Sequence, residues 1–184
     1  MVKFEAFVRK VIREFNEAGF EYALTGALAV SYYGRPRTTA DVDVILRISP
    51  MEFGRFASVL KRVGLDAELQ AVKRAWDSRY RIVSFDSRDG LRLDVMMTDV
   101  SIPRRRVRVL HLSTYLQDPT WLLLSKLRLM KVTADGDRKA LDRQDVLSVL
   151  RNAEVDIGLL KEESKRQMTF DVLQEMLADA EVLA

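Results

Sequence analysis

Asp41 and Asp43 open the run Asp41-Val42-Asp43-Val44-Ile45-Leu46, which becomes wholly apolar after the second acid. On a strand, residues two apart project from one face, so both carboxylates point the same way. Carboxylates that close repel, and without a cation one of them tends to stay protonated. A hard divalent cation such as Mg2+ removes the conflict, because it takes oxygen ligands. An isolated Asp-x-Asp is more often a solvated turn, but this pair lies at the edge of a core. A third acid, Asp94, sits in Leu91-Arg92-Leu93-Asp94-Val95-Met96-Met97, where alternation puts Arg92, Asp94 and Met96 on one face. Asp94 could be an ordinary solvent-facing strand residue. Three acids converging from two adjacent strands would instead make a two-metal site for phosphoryl chemistry, with metals about 3.5–4 Å apart.

The elements that must position these acids are legible in outline. Phe4, Phe7, Val8, Val11, Ile12 and Phe15 recur at helical steps, and Gly19 is a candidate left-handed stop. Tyr22 to Thr25 reads as a short strand that turns at Gly26 into a small-residue helix ending at Gly34. Backbone N–H groups at such a helix start bind phosphate, and glycine allows close approach, although a lone glycine at a strand end is usually only a turn. Ser49-Pro50 starts another helix whose face is Phe53, Phe56, Leu60 and Val63, stopped at Gly64. Residues 66–76 read as helical. Tyr80–Asp86 and Leu91–Met97 flank Ser87-Arg88-Asp89-Gly90 as a hairpin, and Val107–Leu112 reads as one further short strand. After Leu112 only helical patterns follow, the first capped by Asp118-Pro119. The division expected is an α/β part, 1–112, and a helical part, 113–184.

Composition bounds the chemistry. The chain has 184 residues, 48% apolar and 31% charged, with a net charge of +3. That balance tolerates an anionic partner without demanding nucleic acid. With no cysteine and the single histidine His111, cysteine or multi-histidine metal sites are excluded. No run approaches the ~18 apolar residues of a membrane span, and the charged N-terminus does not read as a signal peptide; a cytoplasmic protein without a membrane partner is expected.

Gly26-Ala27, followed by Gly34-Arg35-Pro36-Arg37-Thr38-Thr39-Ala40-Asp41-Val42-Asp43, resembles the signature of the nucleotidyltransferase superfamily related to DNA polymerase β. In that family a glycine turn precedes an acidic pair, and a third acid follows on a later strand. Arg37-Thr38-Thr39 before the acids looks most like the branch of minimal nucleotidyltransferases and AbiEii-type toxins. So does the helix Trp121 to Leu127 with its Lys126-Leu127 pair, followed by Arg138 to Val146 with Asp142 and Asp145 three apart. The resemblance covers about residues 20–150. One departure is Ala27, where the family often has serine or a second glycine, so a hydroxyl contact to the triphosphate is missing and only backbone donors remain.

The resemblance implies an α/β (α+β) nucleotidyltransferase fold, a mixed sheet flanked by helices, followed by a C-terminal helical domain forming one wall of the active cleft. It implies transfer of a nucleoside monophosphate from an NTP to an acceptor hydroxyl on tRNA, a protein or a small molecule. Asp41, Asp43 and Asp94 would be the catalytic and metal-binding acids for two Mg2+ ions, or Mn2+ in their place. Gly26, Ala27, Arg37, Thr38 and Lys126 would contact the nucleotide. A cognate toxin or antitoxin partner follows from the branch. A catalytically inactive nucleotide- or partner-binding module is the alternative.

Other residues admit blander roles. Lys126 could instead snorkel or pair with Asp142 and Asp145. The densest basic run, Arg104-Arg105-Arg106 with Arg108, could serve a nucleic-acid acceptor, although solvated edge-strand charge is commoner. Arg106 and His111 match the spacing of a helical ribonuclease motif, but strand periodicity puts residues five apart on opposite faces, which excludes it.

Overall fold

The computed structural model describes residues 2–180. Helix α1 (Val2–Glu17) buries Phe7, Val8, Val11, Ile12 and Phe15 along one face, and Gly19 at φ +67° ends it as its position suggested. Strand β1 (Glu21–Leu24) leads into helix α2 (Gly26–Tyr33), and strand β2 (Asp41–Arg47) carries the acidic pair. Pro50–Glu52 forms a single 3-10 turn before helix α3 (Phe53–Val63). There the Glu52 carboxylate accepts from both the backbone N–H and the hydroxyl of Ser49 at 3.0 Å. Helix α4 (Leu69–Asp77) confirms the helical reading of that segment. Strands β3 (Ile82–Asp86) and β4 (Arg92–Thr98) form the expected hairpin.

Strands β5 (Arg104–Val109) and β6 (Leu112–Gln117) correct the single strand expected at 107–112. The two pair antiparallel from Arg104↔Gln117 to Val109↔Leu112 around the two-residue turn Leu110-His111. Such a turn needs φ > 0 at both central residues, normally met by Asn-Gly. Here Leu110 (+50°) and His111 (+66°) adopt it, so no turn residue marks the reversal in the sequence. The conformation is held from outside: Arg9 donates to the Leu110 carbonyl at 2.6 Å and Arg108 to that of His111 at 3.3 Å.

The six strands form one sheet in the order β3-β4-β2-β1-β6-β5. Pairs β2/β4 and β1/β6 are parallel and the rest antiparallel, a mixed sheet. Alternation sends Tyr22, Leu24, Val42, Val44, Leu46, Leu93, Val95 and Leu116 to one face, where all are buried. Helices α1 and α3 cover that face: Phe15 meets Tyr22 and Phe56 edge-on at 5.3 and 6.1 Å, and Phe56 meets Phe85 at 6.2 Å. Burial pushes the Tyr22 phenol up to about 12, so it remains a neutral donor and acceptor between Asn16 and Thr114. The apolar face thus reserves the opposite face for the acids.

Helices α5 (Pro119–Val132), α6 (Gly136–Asn152), α7 (Ile157–Arg166) and α8 (Phe170–Asp179) complete the chain. The Asp118, Asp135 and Asp156 carboxylates cap α5, α6 and α7 by accepting first-turn N–H groups. Two compact units result. The sheet unit holds the chain through Leu28 and Thr38–Gln117, while the helical unit holds Ala29–Arg37 and the residues from Asp118 on. The sheet unit runs past the boundary expected at residue 112 because β6 is a strand. Among the described residues, no helix is long and apolar enough to cross a membrane.

Candidate functional site

In the sheet unit, β2 and β4 run parallel with Asp43 opposite Asp94 and Asp41 opposite Arg92. Their neighbours Val42, Val44, Leu93 and Val95 are buried on the helix-covered face, so all three carboxylates emerge on the other. They are half-buried rather than free in water. The Oδ1 of Asp94 is buried and has no hydrogen-bond partner.

The turn beside them is built around Gly26. The Thr25 N–H donates to the Asp43 carbonyl at 2.9 Å, which brings the end of β1 against the acid-bearing part of β2. Gly26 then takes φ +57°, and a Cβ placed on it would lie 2.0 Å from Asp43 Oδ2. Both the backbone conformation and the space therefore require glycine. Gly26 and buried Ala27 are the first residues of α2, where N–H groups lack intrahelical partners. The glycine turn and the first acid strand are thus in contact, not merely near in sequence.

Gly26→Ala is expected to destabilise the protein by about 1–3 kcal/mol and to displace Asp43. Gly19 supplies the control, because it has φ +67° with nothing within 4 Å of a Cβ. In urea titrations Gly19→Ala should show the backbone cost alone; equal losses at both positions would mean that the Asp43 contact is unimportant.

By donor type, three hard carboxylate oxygens on one face, one of them buried without a partner, suit a divalent cation such as Mg2+. Their side chains are not gathered around a common point: among the described residues, no group of three Asp, Glu, His or Cys side chains is arranged to hold a metal ion. Mutual repulsion of carboxylates on adjacent strands is a sufficient reason for that spread.

Sequence reasoning placed Arg92 on the acid face but assigned it no role. Arg92 pairs with Asp86 at 2.9 Å, and this bond, with lesser contributions from the fields of Asp94 and Asp41, raises its pKa. On the other side of Asp43, the Thr25 hydroxyl donates to Gln117 Oε1 at 2.5 Å. The parity of Arg92 with Asp94 was the available signal for the first; nothing local pointed to Gln117.

Thr38 is exposed in the sheet unit. Arg37 and Lys126 lie in the helical unit, inside a buried ion cluster. Lys126 Nζ donates to Asp142 Oδ1 at 2.6 Å and to Asp145 Oδ2 at 2.9 Å, and Arg37 reaches the same Asp145 oxygen at 2.8 Å. Arg138 stands 3.8 Å from Asp142, and Arg35 donates to Gln144. The pairing of Lys126 with both aspartates is one of the blander roles weighed for it, and it leaves one of the three ammonium N–H groups unused.

No protein-family profile matches the chain. No curated protein matches it either. Solved structures do. The antibiotic-resistance factor ANT(2'')-Ia superposes with a TM-score of 0.62 at 9% identity, covering 98% of this chain and 96% of that one. This is the nucleotidyltransferase fold. The same fold relates the chain to an antigenic nucleotidyltransferase-like protein from Paracoccidioides brasiliensis, with a TM-score of 0.57, 14% identity, and coverage of 80% of this chain and 75% of that one. A nucleotidyltransferase candidate from Thermotoga maritima gives a TM-score of 0.57 at 15% identity, over 77% and 94%. ANT(2'')-Ia has also been crystallised with adenylyl-2''-tobramycin. At these identities the likeness establishes the nucleotidyltransferase fold and leaves the chemistry to the residues above.

Proposed function

We propose that the protein transfers a nucleoside monophosphate from an NTP to an acceptor hydroxyl, releasing pyrophosphate. The observation that carries this reading is the alignment of Asp43 with Asp94 across β2 and β4, next to a Gly26 turn that only glycine can make. The N–H groups of Gly26 and Ala27 would receive triphosphate oxygens, with Ala27 contributing no hydroxyl. Asp41, Asp43 and Asp94 would hold the divalent ions, and Asp94 would face the attacking hydroxyl and help to remove its proton. When bound, the ions neutralise phosphate charge and lower the pKa of that hydroxyl. Arg92 would add positive charge beside the acids.

Membership in the AbiEii-like branch, and with it a cognate toxin or antitoxin partner, rests on Arg37-Thr38-Thr39 and the Lys126, Asp142 and Asp145 pattern. The inactive-module alternative draws on Ala27 and on carboxylates that are not gathered.

Calorimetry with each NTP, with and without Mg2+, and incubation with labelled NTPs and cell extract test the proposal. Metal-dependent binding of at least one NTP and labelling of an acceptor are expected. Metal-independent binding with no labelled acceptor in several extracts would leave only a binding module.

A further inference from the structure

The sheet unit buries few polar side chains. Tyrosine apart, Thr114 and Gln117 are the only buried polar residues among those described in it. Taking an amide out of water is costly unless it is hydrogen-bonded, and an apolar residue would fill such a place more cheaply. Thr114 answers a need of the core, because it meets the Tyr22 hydroxyl at 2.8 Å. Gln117, the last residue of β6, turns towards the acid site instead. Its Oε1 accepts from the Thr25 hydroxyl at 2.5 Å, just past the end of β1.

That bond completes a frame around the glycine turn. Leu24 pairs with Val44 on one side and with Leu116 on the other, which sets Thr25 between Asp43 and Gln117. The Thr25 N–H donates to the Asp43 carbonyl at 2.9 Å, and its hydroxyl donates to Gln117. Thr25 is therefore held by its main chain to β2 and by its side chain to β6. The next residue is Gly26 at φ +57°, where a Cβ would meet the Asp43 carboxylate, and buried Ala27 follows. Glycine has the widest backbone freedom of any residue. The direction of the Gly26 and Ala27 N–H groups is thus set by whatever holds the residues on either side.

Ala27 sharpens that requirement. With no hydroxyl at this position, phosphate recognition by the turn falls to main-chain donors, whose direction is the conformation of the turn itself. Donors fixed in advance stabilise charge without reorganising when the ligand arrives. A hydrogen bond that immobilises Thr25 therefore acts on nucleotide affinity without touching the nucleotide.

We infer that Gln117 is a positioning residue: through the Thr25 hydroxyl it holds the Gly26 and Ala27 N–H groups in the direction that receives the triphosphate. The inference rests on the transfer reading above and adds to it a β6 residue outside the glycine and acid signature.

A double-mutant cycle on Thr25→Val and Gln117→Met tests it. Both replacements nearly keep side-chain size, and each removes one half of the hydrogen bond. The probe is ATP, GTP, CTP or UTP, whichever the parent binds in calorimetry with Mg2+. Each single variant is expected to bind that nucleotide about 10-fold more weakly. The double variant should also lose about 10-fold rather than about 100-fold, because the two side chains act as one unit. Thr25→Ser, which returns the hydroxyl, should recover the affinity. With a labelled acceptor, KM for the NTP should rise by the same factor while kcat holds, the pattern of lost uniform binding.

Urea titration of the same variants separates stability from affinity. Lower stability with NTP affinity equal to the parent's makes Gln117 a structural residue only and overturns the inference. A loss of about 100-fold in the double variant overturns it as well, because independent contacts add. So does weak binding by Thr25→Val with parental binding by Gln117→Met, which puts the Thr25 hydroxyl on the nucleotide itself. All three outcomes leave the transfer proposal standing. A folded parent that binds no NTP removes that proposal, and the positioning role with it. Should Gln117→Met fail to fold, Gln117→Asn, whose amide is one methylene shorter, takes its place in the cycle with the same expectations.

Discussion

Asp43→Asn is expected to abolish Mg2+-dependent NTP binding and to lower nucleotidyl transfer by about 10^3-fold or more. Metal-assisted stabilisation of phosphoryl charge contributes several kcal/mol, and each 1.36 kcal/mol is tenfold in rate. Asp43 is the acid that loses most, because it alone touches the Gly26 turn and also stands opposite Asp94. Asp94→Asn should separate the roles: NTP binding persists while transfer falls. Neither change should unfold the protein. Like charges directly opposite on paired strands are destabilising, so Asp94→Asn should leave thermal stability unchanged or raise it slightly. Loss of function with gain of stability would mark the acids as placed for chemistry at the expense of the free fold. Transfer that survives Asp43→Asn sinks the proposed mechanism.

Lys126→Met is expected to destabilise the helical unit by about 3–5 kcal/mol, the usual cost of breaking a buried ion pair by removing one partner. The Asp142 and Asp145 side chains are 1% and 0% exposed, and Lys126 is 7% exposed. Without its ammonium, Asp142 keeps only Arg138 at 3.8 Å, whereas Asp145 retains Arg37. Two acceptors in the cluster, Asp142 Oδ2 and Asp145 Oδ1, already lack a hydrogen-bond partner, so no spare donor takes over. Adding Asp142→Asn to Lys126→Met removes the stranded charge and should recover part of the loss. Urea denaturation measures both variants. A single variant within 1 kcal/mol of the parent would show that water reaches the cluster and that Lys126 is available for other partners.

Much of this was readable from residue order. Alternation around Asp41, Asp43 and Asp94 assigns each acid to the face away from its apolar neighbours, because a strand has a period of two and one face must be buried. The periodicity of α1 and the Asp118-Pro119 cap of α5 are equally local. Three arrangements were not. The pairing that sets Asp43 against Asp94 joins strands about fifty residues apart and depends on which apolar faces meet under α1 and α3 (residues 43 and 94). The reversal at Leu110-His111 is stabilised by Arg9 from α1, so no turn residue announces it. The engagement of Lys126 with Asp142 and Asp145 is a competition between partners that only packed helices resolve. Side-chain direction along an element follows from covalent geometry, and was legible; the meeting of elements follows from burial summed over the whole chain, and needed the folded molecule.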